Sequence, residues 1–221
     1  MKGVTANSAD SDAATVHVID DDPCIREALD GLFRSVGYPV RTFRAAADFA
    51  ASAPDHSCGC LVLDVFLPGL NGLDFLKQLA GKAAFMPVIL MTGRADIPMA
   101  VRGVKAGAID FLPKPFAERD MLDAVASAMA QDAARRAERA RAQQLRDRMA
   151  TLTCREKEVM GLVARGKMNK QVAFEIGLSE VTVKIYRGKA MRKMGARTLA
   201  DFVLMADRLN LRHGGPLSNC V

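Results

Sequence analysis

The chain has 221 residues, half of them hydrophobic, so it can bury one large core or two modest ones. No apolar run is long enough to span a bilayer, and residues 1–14 lack the apolar core of a secretion signal. The five cysteines have no spacing typical of a zinc site. We therefore expect a cytoplasmic protein with reduced thiols, no membrane partner and a disordered segment at residues 1–14.

The net charge of +6 is unevenly distributed along the chain. Residues 1–130 hold 12 basic against 16 acidic residues, residues 131–149 hold 6 against 3, and residues 150–221 hold 13 against 6. An acidic first part and a basic last part indicate different partners. A compact basic segment is typical of nucleic-acid binding, with a solvated basic face as the alternative explanation.

Short apolar runs alternate with helical patterns through the first part of the chain. Gly37, Gly81 and Gly107 lie where helices would stop. This alternation is typical of a doubly wound α/β domain with a parallel sheet, and we predict a flavodoxin-like (βα)5 fold. The predicted strands cover residues 16–19, 40–43, 60–63, 88–91 and 111–112, and the predicted helices begin near residues 23, 45, 72, 98 and 116.

Acidic side chains follow two of the predicted strands. Asp20 and Asp21 come after the first strand, and Asp64 comes after the third. Parallel strands end at a common edge, so these carboxylates would cluster there and repel one another. A hard cation such as Mg²⁺ relieves that repulsion and leaves coordination positions for phosphate. The pattern indicates phosphoryl transfer to a carboxylate, although the Asp triplet at 20–22 alone would equally suit a helix-capping turn.

Two further polar residues follow strands at the same edge. The Thr92 hydroxyl is expected either to bind a phosphoryl oxygen or to cap the turn that follows. The ammonium of Lys114 can balance a phosphoryl anion. Pro115 allows a cis bond that would direct the Lys114 side chain inward.

At these residues the first part of the chain resembles the receiver domain of two-component response regulators, in particular the FixJ type. We assign residues 15–130 to it. The matching motifs are VHVIDDDP at residues 16–23, LD at 63–64 with Pro68 and Gly72, MTG at 91–93, PMAV at 98–101, KAGA at 105–108, DF at 110–111 and KPF at 114–116.

The resemblance implies a role for each residue of this edge. Asp64 would accept a phosphoryl group from a sensor histidine kinase, and Lys114 would bind the phosphate. Thr92 and Phe111 would form a switch pair. Mg²⁺ would be the cofactor, held by Asp20, Asp21, Asp64 and the backbone carbonyl of Phe66.

Residues 120–149 contain no Gly or Pro, which predicts one long helix with a linker at residues 131–149. Leu145, Met149 and Leu152 have the spacing of a seam with a partner helix. A coiled coil and a solvated linker helix both remain open, because residues 133–143 offer only alanines as knobs. The apolar positions expected in the receiver core are Met121, Leu122, Val125 and Met129.

Residues 150–211 have the pattern of a small helical bundle, and residues 212–221 form a tail. Thr153 and Glu156 predict a capping box that begins a helix through residue 164. A second helix covers about residues 169–176, Ser179 caps a third at 180–194, and a fourth covers about 198–209. A short Gly-containing turn before a basic helix predicts a helix-turn-helix. The basic residues of the third helix are Lys184, Arg187, Lys189, Arg192 and Lys193.

This part resembles the LuxR-type DNA-binding domain. The matching motifs are LTxRE at residues 152–156, NKxVA at 169–173 and SxxTVK at 179–184. By this resemblance Lys184, Ile185 and Gly188 would face base edges. Tyr186 occupies a position where His is usual and Gly188 has no side chain, so we expect readout through Lys184 and Ile185. The positions near phosphates would be Asn169, Lys170, Thr182 and Arg187.

Together the resemblances imply a phosphorylation-dependent transcription regulator that dimerises or unmasks its DNA-binding domain. Its partners would be a sensor histidine kinase, double-stranded DNA, a second copy of the chain and RNA polymerase. The homodimer would form through the fourth helix, fifth strand and fifth helix of the receiver. That surface would include Met99, Val101, Arg102, Lys105 and Glu118.

Two alternatives remain open. One is a Mg²⁺-dependent phosphohydrolase with an aspartyl-phosphate intermediate, but Phe66 stands where such enzymes commonly carry a second acid. The other is a regulator whose receiver is never phosphorylated. We expect no enzymatic activity beyond self-phosphorylation and slow self-dephosphorylation at Asp64.

Overall fold

The computed structural model describes residues 14–52, 58–80, 86–94 and 97–211. The disorder predicted at residues 1–14 therefore falls almost entirely outside the described residues, as do Gly81 and the tail from residue 212. The chain divides into two compact units between Arg136 and Ala137.

The first unit is built on a parallel sheet. Its strands are β1 (Thr15–Ile19), β2 (Val40–Phe43), β3 (Gly59–Asp64), β6 (Val88–Thr92) and β7 (Asp110–Pro113), and a hairpin of β4 (Phe66–Leu67) and β5 (Leu70–Asn71) follows β3. The order in the five-stranded sheet is β2-β1-β3-β6-β7, and all of its pairs are parallel. Each predicted strand is confirmed to within one residue at either end.

In the described residues, five helices accompany this sheet. They are α1 (Pro23–Ser35), α2 (Ala46–Ser52), α3 (Gly72–Ala80), α4 (Ile97–Lys105) and α5 (Glu118–Ala150). The predicted flavodoxin-like (βα)5 architecture is confirmed, and α5 continues as the predicted long helix.

The central strand explains where the core lies. Every residue of β3 is buried, and successive side chains belong to different apolar clusters: Cys60 and Val62 to one, Leu61 and Leu63 to the other. A parallel strand covered by helices on both faces has this continuous apolar sequence. The core positions predicted on α5 are confirmed, because Met121 and Val125 are buried and Leu122 and Met129 pack against them.

The topology also locates a cleft. From β1 the chain crosses to β2 on one side of the sheet, and from β3 it crosses to β6 on the other. The carboxyl ends of β1 and β3 therefore flank a topological switch point, where open α/β sheets bind ligands. The hairpin was predicted only as a loop, because strands of two residues are too short to have a recognisable period.

The described part of the second unit, up to residue 211, contains the end of α5 and four more helices. They are α6 (Cys154–Ala164), α7 (Asn169–Ile176), α8 (Glu180–Met194) and α9 (Leu199–Arg208). The capping box of Thr153 and Glu156 and the Ser179 cap are both present. Gly177 ends α7 in the left-handed conformation, at φ 66°, so the predicted helix-turn-helix is confirmed.

The seam predicted at the end of α5 is wrong. Leu152 is buried in the core of the second unit, and Leu145 and Met149 pack against that core. The spacing of these three residues correctly indicates an apolar helix face, but that face packs against the helices of the second unit and not against a partner helix.

Two other expectations have mixed outcomes. Cys24 and Cys60 are free thiols, whereas Cys154 is disulfide-bonded, so a reduced thiol was wrongly expected at Cys154. None of the described helices combines the length and apolarity needed to cross a bilayer.

Candidate functional site

Three carboxylates and one ammonium meet at the switch point. One carboxylate oxygen from each of Asp20, Asp21 and Asp64 lies within 4.8 Å of the others. Lys114 Nζ is 2.6 Å from Asp20 Oδ2 and 2.6 Å from Asp64 Oδ2. Asp20 and Asp64 are buried and Asp21 is exposed. The structure thus brings together the four charged residues that the sequence placed at this edge.

Local backbone contacts fix the Asp20 side. Asp22 caps α1 by accepting a hydrogen bond from the Cys24 N–H at 2.8 Å, and its own N–H donates to Asp20 Oδ1 at 3.0 Å. Arg26 donates to the carbonyl oxygen of Asp20 at 2.8 Å. The Asp triplet therefore serves both predicted roles: Asp22 caps the helix, and Asp20 and Asp21 belong to the acidic cluster.

Asp64 is fixed by the turn that follows β3. Its Oδ1 accepts a hydrogen bond from the Phe66 N–H at 3.0 Å. Gly72 packs directly behind it: a Cβ at this position would lie 2.3 Å from the Asp64 carbonyl oxygen. Only a residue without a side chain allows α3 to begin so close to β3.

Burial and ion pairing oppose each other at the cluster. Burial raises the pKa of Asp20 above its ordinary value, and the hydrogen bond from Lys114 opposes that shift. For Lys114, burial disfavours the ammonium, but hydrogen bonds to Asp20 and Asp64 outweigh burial and raise its pKa. The ammonium therefore stays charged at neutral pH and partly compensates the acids.

An open cleft of about 620 Å³ gives access to these groups. Three acids in a solvent-accessible cleft form the hard oxygen donor set that Mg²⁺ takes, so the residues fit that ion. The cleft is lined by Asp20, Asp21, Asp22, Ile25, Asp64, Phe66, Gly93, Arg94 and Lys114.

Thr92 and Phe111, the predicted switch pair, do not line the cleft and make other contacts. The buried Thr92 hydroxyl bonds the Arg94 carbonyl and accepts from the Arg94 N–H, both at 3.2 Å. It therefore caps the turn, one of the two roles predicted for it. Phe111 is half-buried against the core. The sequence analysis did not predict Arg26 and Arg94 as cationic residues of this site. Arg94 could have been predicted, because it follows a strand that ends at the same edge of the sheet.

The predicted receiver dimer surface is mostly exposed. Val101, Arg102, Lys105 and Glu118 face solvent. Met99 is half-buried: it packs against the core and its sulfur lies 3.8 Å from the Thr92 hydroxyl, so only part of its side chain is exposed on the predicted surface.

The predicted nucleic-acid interface lies on α8 and the start of α7. Lys184 and Ile185 are exposed, and Ile185 has 52% of its surface accessible. Arg187 Nη1 donates to Asn169 Oδ1 at 3.1 Å, which joins the two helices. The remaining positions, Lys170, Thr182 and Gly188, are exposed or half-buried.

Lys193 differs from the other basic residues of α8. Its Nζ lies 2.7 Å from Glu156 Oε2 and donates to the Thr151 carbonyl at 3.0 Å. Glu156 is buried, and despite that burial the hydrogen bond from Lys193 lowers its pKa. The Lys193 ammonium therefore joins α8 to the start of α6, although the residue lies on the basic helix as predicted.

Known protein families match both parts of the chain. Residues 16–126 match the model of the response regulator receiver domain, and residues 150–206 match that of the bacterial regulatory proteins of the luxR family. The chain belongs to the response regulators. Because this response regulator carries a LuxR-type domain, it is a phosphorylation-dependent transcription regulator, and the phosphohydrolase alternative is not favoured.

Relatives match nearly the whole chain. Nodulation protein W of Bradyrhizobium diazoefficiens is 47% identical over 210 residues, which cover 95% of this chain and 92% of that protein. The response regulator TodT of Pseudomonas putida is 40% identical, over 89% of this chain and 87% of its own.

Solved structures match to a similar extent. The response regulator StyR is 43% identical with a TM-score of 0.80, covering 89% of this chain and 99% of its own. Full-length FixJ from B. japonicum is 37% identical with a TM-score of 0.54. The match covers 90% of this chain and 98% of the FixJ chain.

Proposed function

We propose that this response regulator accepts a phosphoryl group on Asp64 and that the aspartyl phosphate controls DNA binding through α8. The observation that carries the proposal is the position of Lys114, 2.6 Å from both Asp20 and Asp64 at an open cleft. A nucleophilic carboxylate, two further acids and a cation are the parts needed for phosphoryl transfer to a carboxylate.

The transfer forms a bond between an Asp64 oxygen and phosphorus and breaks the bond from phosphorus to the donor, a histidine of a sensor kinase. Asp20, Asp21, Asp64 and the Phe66 carbonyl would hold Mg²⁺, which when bound supplies charge neutralisation at the phosphoryl oxygens. The Lys114 ammonium is already beside Asp64 and can pair with the new phosphoryl group without a large movement.

The new anion then acts as a switch. The Thr92 hydroxyl, now bonded to Arg94, would turn toward the phosphoryl group, and the space beside it would open for Phe111. Because Met99 on α4 lies against the Thr92 hydroxyl, this movement would reach the surface of α4, β7 and the start of α5.

We propose the surface of Val101, Arg102, Lys105 and Glu118 as the homodimer contact, and domains at residues 15–130 and 150–211 with a linker at 131–149. The other proposed partners are double-stranded DNA and RNA polymerase, and the proposed location is the cytoplasm. We propose no catalysis beyond self-phosphorylation and slow self-dephosphorylation.

The direct test is intact-protein mass after treatment with acetyl phosphate and Mg²⁺. The parent and an Asp74→Asn control should gain one phosphoryl group, and Asp64→Asn should gain none. Asp74 is exposed on α3 and pairs with Lys77 on the same helix, so the control removes an acid that does not line the cleft. An Asp64→Asn protein that is labelled like the parent would refute the proposal.

Light scattering then separates dimerisation from unmasking. If dimerisation is the output, the phosphorylated parent doubles in mass and Val101→Glu, which puts a charge on the exposed α4 surface, stays monomeric and binds DNA weakly. If Val101→Glu stays monomeric and binds DNA as tightly as the phosphorylated parent, unmasking is the output.

A further inference from the structure

The last turn of α5 is bonded to the last turn of α8. Arg148 Nη1 donates to the carbonyl oxygen of Met194 at 2.9 Å. Three residues further along, the Thr151 carbonyl accepts from Lys193 Nζ at 3.0 Å. Two hydrogen bonds in opposite directions thus join the end of the linker helix to the end of the helix predicted to read DNA.

The Arg148 contact satisfies a general need of helix ends. The last carbonyl groups of a helix have no intrahelical partner and carry the negative end of the helix dipole. A guanidinium on the Met194 carbonyl supplies both a donor and a positive charge. The site is closely fitted, because a Cβ on Gly195 would lie 2.6 Å from Arg148 Nη1.

The neighbouring residues keep Arg148 in place. Met149 packs against the core of the second unit, and Leu152 is buried in it. Lys193 also reaches the buried Glu156, whose carboxylate accepts from the Thr153 N–H at 2.8 Å. The chain from residue 148 to residue 156 therefore forms one fixed support for the carboxyl end of α8.

We propose that Arg148 is a positioning residue for sequence-specific DNA recognition, acting through the Met194 carbonyl on the orientation of α8. This inference rests on the proposed DNA face of α8. Lys184 lies ten residues before Met194, about 15 Å along the helix axis. A tilt of roughly 10° at Met194 would move Lys184 by about 2.5 Å, more than base-edge hydrogen bonds tolerate.

Positioning and direct phosphate contact give different results. Loss of a phosphate contact weakens binding to every duplex and makes the salt dependence less steep, with the slope of log K against log salt changing by about 0.9. Loss of positioning weakens binding to the cognate sequence and leaves non-specific binding and the salt slope unchanged.

The experiment uses the full-length protein, treated with phosphodonor, on two duplexes. One is selected from a random library by the parent, and the other is a scrambled duplex of the same length and composition. Arg148→Met keeps the side-chain stem and removes the charge. Arg146→Met is the matched control, because Arg146 is exposed and its guanidinium donates to Gln143 Oε1 on the same helix.

We expect Arg148→Met to bind the selected duplex roughly tenfold more weakly than Arg146→Met does. This factor corresponds to the loss of one hydrogen bond from a charged donor. Binding to the scrambled duplex and the salt slope should match the control, and Arg148→Lys should recover most of the lost affinity. If Arg148→Met loses the parent's helical circular dichroism, Arg148→Gln replaces it in the same comparison and should lose specificity in part.

Two results would overturn the inference. One is equal affinity of the Arg148 and Arg146 variants for the selected duplex. The other is an equal loss on both duplexes with a shallower salt slope, which would make Arg148 a phosphate contact. If the parent itself selects no sequence, the proposed function fails instead, so the two failures are distinguishable.

Discussion

The two charged regions of this response regulator are built in opposite ways. In the receiver, Asp20 and Asp64 are buried and share one ammonium, that of Lys114. On α8, Lys184 and Lys189 are exposed to solvent. In a buried ion-paired cluster, a new covalent charge changes which groups pair, and salt screens these interactions little. Exposed cations attract a polyanion, and salt screens that attraction strongly. The first region suits a switch and the second suits a reversible contact with DNA.

Replacement of Lys114 should have the largest effect. Lys114→Met leaves two buried carboxylates without their cation, and removal of one partner from a buried ion pair costs about 4 kcal/mol. We expect the free energy of unfolding in urea at pH 7 to fall by about this amount, and added Mg²⁺ to restore part of it. Lys77→Met removes an exposed lysine paired with Asp74 and should change stability far less, because solvent screens that pair. Equal effects of the two variants would contradict the buried-pair description.

The pH dependence of stability should come next in size. His17 is buried among aromatic rings, 5.5 Å from the Phe49 ring, and neither of its ring nitrogens has a hydrogen-bond partner among the described residues. Burial, with the nearby charge of Arg41, lowers its pKa to about 4.

In the unfolded chain His17 takes up a proton as pH falls below about 6.5. In the folded protein the His17 imidazole stays neutral until about pH 4. Stability is therefore lost as pH falls through this window, by about 3 kcal/mol for this residue. Urea unfolding of the parent and of His17→Leu between pH 7 and pH 4 measures the difference. Parallel curves for the two proteins would contradict the prediction.

Replacement of two glycines by alanine tests the close approach of α3 to Asp64, with a smaller expected change in the free energy of unfolding. Gly72→Ala puts a Cβ 2.3 Å from the Asp64 carbonyl oxygen, so we expect a loss of about 2 kcal/mol and slower phosphorylation by acetyl phosphate. Gly31→Ala, within α1, meets nothing within 4 Å and should stabilise the protein by about 0.7 kcal/mol. Urea unfolding and mass-detected labelling measure both. A Gly72→Ala protein phosphorylated at the parental rate would show that the close approach does not position Asp64.

The smallest expected change concerns the salt dependence of DNA binding. Lys170→Ala should make the slope of log K against log salt less steep by about 0.9, because it removes one proposed phosphate contact. Lys193→Ala should leave the slope unchanged and lower the melting temperature, because its ammonium binds Glu156. Anisotropy titrations at several salt concentrations and thermal melts measure the two effects. A Lys193→Ala slope shifted like that of Lys170→Ala would contradict the internal role of Lys193.

The sequence predicted the features that depend on local order. Asp20, Asp64 and Lys114 were placed correctly because each follows or ends a strand, and parallel strands end at one edge. The caps at Thr153 and Ser179 were visible because the partner residue lies three positions away.

The features that the sequence did not predict depend on distant partners. Arg148 bonds a carbonyl 46 residues later, and Lys193 pairs with an acid 37 residues earlier, so no local pattern marks either. Met99 and Leu145 were recognised as apolar, but apolar spacing does not indicate whether the chain itself or a partner covers the face.

In the proposed mechanism, phosphorylation of Asp64 controls DNA binding by α8. The most direct measurement is an anisotropy titration of the selected duplex with the parent and with Asp64→Asn, each with and without phosphodonor and Mg²⁺. We predict that the phosphodonor tightens binding by the parent and leaves binding by Asp64→Asn unchanged. An equal increase in both proteins, or no increase in a parent whose mass proves it phosphorylated, would contradict control of DNA binding by Asp64 phosphorylation.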